Sequence, residues 1–156
     1  MKMNQILNKL LFIIIFAMVS ICVPNFVYAG NDAVTIVLDP GHGGKDPGSS
    51  SGSLVEKDMT MKIATYMKEY LSEYSNVNVL MTHTGSTMSI EDRADFARNN
   101  CADLFVSIHI NSLSDTKSQG AEAYVTYRTD LPKYHQEMSA LANQILSNIA
   151  ALRNEK

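Results

Sequence analysis

Cysteine is scarce in this chain: Cys22 and Cys101 are the only two among 156 residues. Acid is missing from the first 31 positions, and Asp32 is the first carboxylate. Long apolar runs are missing too. The most concentrated stretch, residues 10–23, is 14 residues long, whereas a bilayer-spanning helix needs roughly 20. That length argues against a membrane anchor. Lys2 and Lys9 precede the stretch, Pro24 breaks it, and Val27-Tyr28-Ala29 follows. A basic start, a short apolar core and a small-residue cleavage site describe a secretory signal peptide, cut after Ala29. Ile21 stands where a lipid-attachment site at Cys22 would want a small residue.

Cleavage leaves 127 residues, 30–156, as one domain. It removes Cys22, so the lone Cys101 has no partner for an internal disulfide. The exported domain must be held by its core or by metal. Cys101 itself reads as a buried thiol before a strand. Basic residues are also few. The mature part has 11 Lys and Arg against 16 acids, a net charge of −5 where the whole chain has −3. That balance excludes a nucleic-acid partner, which needs a basic footprint. It also gives no bulk attraction to anionic lipids or wall polymers. No internal repeat, low-complexity tail or appended binding module is present.

The sequence does hold a run of alternating elements. Residues 34–39, Val-Thr-Ile-Val-Leu-Asp, are β-branched and apolar and predict a buried strand. Pro40-Gly41-His42-Gly43-Gly44 ends it in a loop built for close approach. Met59, Ile63, Met67, Leu71 and Tyr74 then recur at helical spacing and predict a helix over 57–74. Residues 77–81 predict a second strand, 90–99 a helix with Ser89 as N-cap, and 103–109 a third strand. A polar loop over 112–119 leads to an alternating fourth strand at 120–127. Met138, Leu141, Ala142, Ile145, Ile149 and Leu152 line a last helix. This order predicts an α/β fold: three layers, a mostly parallel twisted sheet with helices on both faces.

In such folds sites form at the carboxyl ends of strands. His42 follows the first strand, His109 ends the third, and Glu56 stands at the mouth of the first helix. Two imidazoles and a carboxylate suit zinc and leave a fourth position for water. Spacings of 14 and 53 residues mean that only the fold can bring them together. Asp39 reads as a brace for the glycine loop, accepting backbone N–H groups. Asn111 reads as an orienting contact for the metal histidines. His83 and His135 read as solvated surface residues.

Three blocks then carry a family signature. They are Leu38-Asp39-Pro40-Gly41-His42-Gly43-Gly44-Lys45-Asp46-Pro47-Gly48, then Glu56-Lys57-Asp58, then residues 102–112 around Ser107-Ile108-His109-Ile110-Asn111. In that order they resemble the zinc-dependent N-acetylmuramoyl-L-alanine amidases of the third amidase family, over residues 35–152. The resemblance implies that His42, Glu56 and His109 bind zinc. It implies hydrolysis of the amide between N-acetylmuramic acid and L-alanine in peptidoglycan, outside the membrane, with a carboxylate as general base. The family commonly has arginine where His83 stands. Its catalytic glutamate lies on a strand after the last helix, and this chain reaches Lys156 without such a strand. The resemblance therefore predicts a sheet short of its last strand or strands and a site without its expected general base; in a shortened amidase Glu122 is the candidate to stand in. The alternatives are a non-catalytic zinc protein that binds peptidoglycan, or an inactive fragment of a longer amidase.

Overall fold

A computed structural model describes residues 33–111, 120–126 and 132–154. The expected leader over 1–29, the polar loop over 112–119 and Tyr127 lie outside the described residues. Packing divides the rest into two units: residues 33–111 form one, and 120–126 with 132–154 belong to the other.

The first unit is built on β1, Val34–Pro40. Its Val37 and Leu38 are fully buried, as a central strand covered on both sides requires. β1 pairs in parallel with β4, Val77–Met81, along one edge and with β5, Leu104–Ile108, along the other. The sheet order is β4-β1-β5. Between β1 and β4 lie the two-residue strands β2, Ser50–Ser51, and β3, Leu54–Val55, which pair antiparallel and open directly into α1, Glu56–Leu71. α2, Ile90–Asn99, connects β4 to β5. A parallel sheet with helical crossovers is the α/β class that the alternation predicts.

The ends of the helices show how local chemistry fixes them. Ser89 caps α2, its hydroxyl accepting the Asp92 N–H at 3.1 Å and donating to the Asp92 carboxylate at 2.7 Å. α2 closes with Cys101 in the left-handed region at φ 49° and Ala102 N–H bonded to Ala97 O, a Schellman closure. Cys101 is therefore exposed on a turn, not buried. α1 has no side-chain cap. Its first amides instead find loop carbonyls: Glu56 N–H donates to Ser49 O at 2.8 Å and Lys57 N–H to Pro47 O at 3.2 Å. The helix mouth is thus stitched to the glycine-serine loop.

α1 starts at Glu56 and ends at Leu71, so Tyr74 lies beyond it. Its buried line is Glu56, Thr60, Ala64 and Leu71, while Met59, Ile63 and Met67 are half-buried flanks. The helix is rotated from its apolar pattern because Glu56 and Thr60 serve the loop. Thr60 Oγ1 donates to Gly41 O at 2.8 Å.

In the second unit, α3, Pro132–Asn154, contains the expected last helix, with proline at its first helical position. The expected fourth strand is not formed among the described residues 120–126. Alternation suits a strand only when a neighbour takes up its backbone groups, and here all but Val125 are exposed. No helix of the described residues is long and apolar enough to cross a membrane.

Candidate metal centre

The loop after β1 is where the sheet delivers its functional groups. Gly41 N–H bonds Ile108 O at 2.8 Å and extends the ladder one step beyond the strands. His42 then turns left-handed at φ 64°, a conformation uncommon for any residue but glycine. Gly43 and Asp46 exchange two backbone bonds of 3.0 Å each and close a tight turn. Residues 85–87 pin that turn from outside: Gly44 N–H donates to Gly85 O, and Thr87 Oγ1 to Gly43 O.

His42, Glu56 and His109 meet at this edge. His42 Nδ1 donates to Asp46 Oδ2 at 2.8 Å. A carboxylate can only accept, so in the neutral ring the other nitrogen, Nε2, keeps its lone pair. Nε2 lies 3.2 Å from Glu56 Oε1, and His109 Nδ1 lies 3.1 Å from the same oxygen. The two imidazoles stand edge to face, 4.9 Å between centroids. One ligand atom from each of the three residues falls within 4.8 Å of the others. Two atoms bound at about 2.1 Å to a tetrahedral zinc ion stand about 3.4 Å apart. The donor set suits zinc, and both Glu56–histidine distances lie near that spacing. His109 is half-exposed, and a cleft of about 380 Å³ opens beside both histidines.

Glu56 is 5% exposed. Burial alone would push its carboxyl up. The N–H groups of Ser49 and Ile110, the His109 ring and the charge of His42 outweigh burial and bring it from 4.5 to about 2. Asp46 is likewise held below its ordinary value, first by His42 and then by the Gly48 N–H. The sign for stability follows from the Glu56 shift. Its folded value is the lower one, so its contribution is complete above about pH 4.5 and is lost as pH falls toward 2. The metal-free chain is expected to lose roughly 2–3 kcal/mol across that window. Urea unfolding at stepped pH should show the loss, and Glu56→Gln should flatten it.

A second cluster braces the loop from below. Asp39, 3% exposed, accepts Thr82 Oγ1 at 2.6 Å, Arg93 Nη1 at 2.7 Å and Ser107 Oγ at 2.7 Å. Its donors are side chains of three other segments, not the loop amides the sequence suggested. A strand-end carboxylate reaches sideways across the sheet, and the loop is held by Arg93 and His83 instead. His83 is buried, not solvated. Its Nε2 donates to Pro40 O at 2.9 Å and its Nδ1 accepts Gly85 N–H at 3.0 Å. Asn111 is exposed beyond β5, and His135 is half-buried on α3, 3.3 Å from Thr126 O. Glu122 belongs to the second unit, is exposed, and accepts the Tyr124 hydroxyl at 2.7 Å. Asp46 and Arg93 are the functional neighbours that residue-by-residue reading passes over. The i+4 spacing from His42 is the one local signal for Asp46.

Comparison with known proteins places these features in company. Residues 36–156 match the family described as N-acetylmuramoyl-L-alanine amidase. The sporulation-specific N-acetylmuramoyl-L-alanine amidase of Bacillus subtilis strain 168 is 43% identical over 94 residues, covering 59% of this chain and 36% of that protein. The germination-specific N-acetylmuramoyl-L-alanine amidase of the same organism is 30% identical over 103 residues, covering 57% of this chain and 44% of that protein. Among solved structures, an N-acetylmuramoyl-L-alanine amidase from Clostridium difficile 630 superposes with a TM-score of 0.56 at 34% identity, over 66% of this chain and 58% of that one. The chain thus spans less than half the length of either of these two relatives.

Proposed function

Because the chain belongs to the N-acetylmuramoyl-L-alanine amidase family, we propose that it hydrolyses the amide between N-acetylmuramic acid and L-alanine in peptidoglycan, using zinc. The observation that carries this reading is the meeting of His42, Glu56 and His109 within 4.8 Å. Residues 1–29 are the secretory leader and 30–156 the catalytic domain, which acts on the wall outside the membrane.

The residues divide the work. Asp46 fixes the His42 tautomer so that Nε2 faces the site. Glu56 stays anionic at any physiological pH because two backbone amides hold its charge. His109 closes the trio from the end of β5. Zinc held by these three side chains would supply an acidified water and polarise the scissile carbonyl. The reaction would also need a carboxylate general base to take a proton from water and return it to the leaving amine, and Glu122 is the residue proposed for that role.

The test is digestion of purified peptidoglycan by the full chain, with zinc and with chelator. Solubilised wall and new N-terminal alanine are expected only with zinc, and His42→Ala and His109→Ala should abolish both. Glu122→Gln should retain zinc and lose turnover. Folded, zinc-loaded protein that binds the wall and releases no alanine would overturn the hydrolytic reading.

A further inference from the structure

Arg93 is a buried charge that the proposed chemistry leaves without a task. It is 9% exposed, and all three of its guanidinium nitrogens donate. Nε donates to Met88 O at 3.1 Å, Nη1 to Asp39 Oδ1 at 2.7 Å and to Pro40 O at 2.8 Å, and Nη2 to His42 O at 2.7 Å. Two of these acceptors are the carbonyls on either side of Gly41. One belongs to His42 itself, the residue held at φ 64°. A left-handed histidine persists only where its surroundings determine it. The Arg93 bond to its carbonyl is such a constraint.

The same guanidinium reaches the other histidine through Asp39. That carboxylate also takes Ser107 Oγ, two residues before His109 on β5. One buried ion pair thus ties the backbone of His42 to the strand that presents His109. We infer that Arg93 is a positioning residue for the metal site. It holds His42 in the turn that aims Nε2 at Glu56, and through Asp39 it sets the strand of His109 beside it. The inference rests on the zinc reading of the trio. Lysine is not an equivalent. It would still balance the Asp39 charge, but a single ammonium lacks the planar fork that serves Asp39, Pro40 and His42 together.

The experiment compares the full chain with Arg93→Lys. Zinc affinity is measured by chelator competition, ligand geometry by the visible spectrum of the cobalt-substituted protein, and loop order by amide exchange over residues 41–48 without metal. The expected result is a folded R93K chain whose zinc affinity falls about 10–100-fold, the range seen for groups that orient metal ligands. Its cobalt bands should shift and its loop exchange should quicken. Wild-type affinity, unshifted bands and unchanged exchange in folded R93K would overturn the inference. If R93K does not fold, Arg93→Ala is refolded with and without millimolar guanidinium ion, and recovery of zinc binding with the ion supports it. Failure of both variants to fold under every condition counts against it, since the residue would then carry the fold and not the site. A wild-type chain that takes up no zinc would sink the zinc reading alone, because the metal-free exchange comparison still decides the role of Arg93.

Discussion

Glu56→Gln is expected to abolish stoichiometric zinc uptake while the sheet of residues 33–111 still forms. The change is nearly isosteric, so packing is not the reason. The wild-type carboxylate accepts on both oxygens: Ser49 N–H on Oε2 at 2.9 Å, Ile110 N–H on Oε1 at 2.8 Å, and His109 Nδ1 on Oε1 at 3.1 Å. An amide has one accepting oxygen and two donors. With its oxygen toward Ile110, its NH2 faces the Ser49 N–H. Flipped, the NH2 faces Ile110 and the two histidines. Either way a buried donor meets a donor, at a cost of about 1–3 kcal/mol. The site also loses the one negative charge among its three ligands. Zinc affinity should therefore fall by more than about 100-fold, beyond what changes outside the ligand set produce. Metal analysis after dialysis checks it. Wild type should retain one zinc per chain and E56Q almost none. A variant that keeps its zinc would remove Glu56 from the ligand set.

Much of the fold was legible because its core is apolar in the places where periodicity looks. β1, β4 and β5 are short, mostly apolar runs, and β1, central in the sheet, is the most deeply buried, as a parallel strand covered on both sides must be. Ser89 announces α2 by its own chemistry. The convergence of His42, Glu56 and His109 followed from where strands end, which topology fixes before any side chain is placed. What stayed hidden is polar and long-range. The partners of Asp39 lie 43, 54 and 68 residues away in sequence. No local pattern encodes a carboxylate whose burial is compensated at such distances. Arg93 on α2 and His83 after β4 look like solvated charges, because hydropathy assigns them to water. They are buried because Pro40, His42 and Asp39 take up most of their hydrogen bonds, and Met88 and Gly85 the rest. The same cause rotated α1: its deepest line holds Glu56 and Thr60, two polar residues whose partners are in the site. Residues 120–126 are the converse case. Alternating side chains were present, but a strand also needs a neighbour for its backbone, and its own sequence does not supply one.

Gly41→Ala is expected to disable the site through a single methyl. A Cβ at residue 41 would lie 2.5 Å from His109 Cε1, 2.6 Å from Nδ1 and 2.7 Å from Nε2, so something has to move. The backbone is the stiff side of that contact. Gly41 N–H is bonded to Ile108 O, and its carbonyl takes Thr60 Oγ1. The preceding carbonyl, of Pro40, takes both Arg93 and His83. The imidazole is the soft side, since the His109 side chain is 49% exposed and has open solvent to swing into. A ring pushed outward carries Nδ1 away from Glu56. Misplacing a site group by about 1 Å can cost 100-fold, so zinc affinity and wall hydrolysis should fall by roughly 10–100-fold. Folding stability should change by less than about 1 kcal/mol, because the displaced ring loses little burial and alanine restricts the unfolded chain. A double-variant cycle isolates the cause. If the methyl acts through the His109 ring, adding G41A to His109→Ala should lower zinc affinity no further, the non-additivity expected of groups in contact. Independent, additive losses would place the effect of the methyl elsewhere in the loop, and the close approach of ring to backbone would then not be what residue 41 is glycine for.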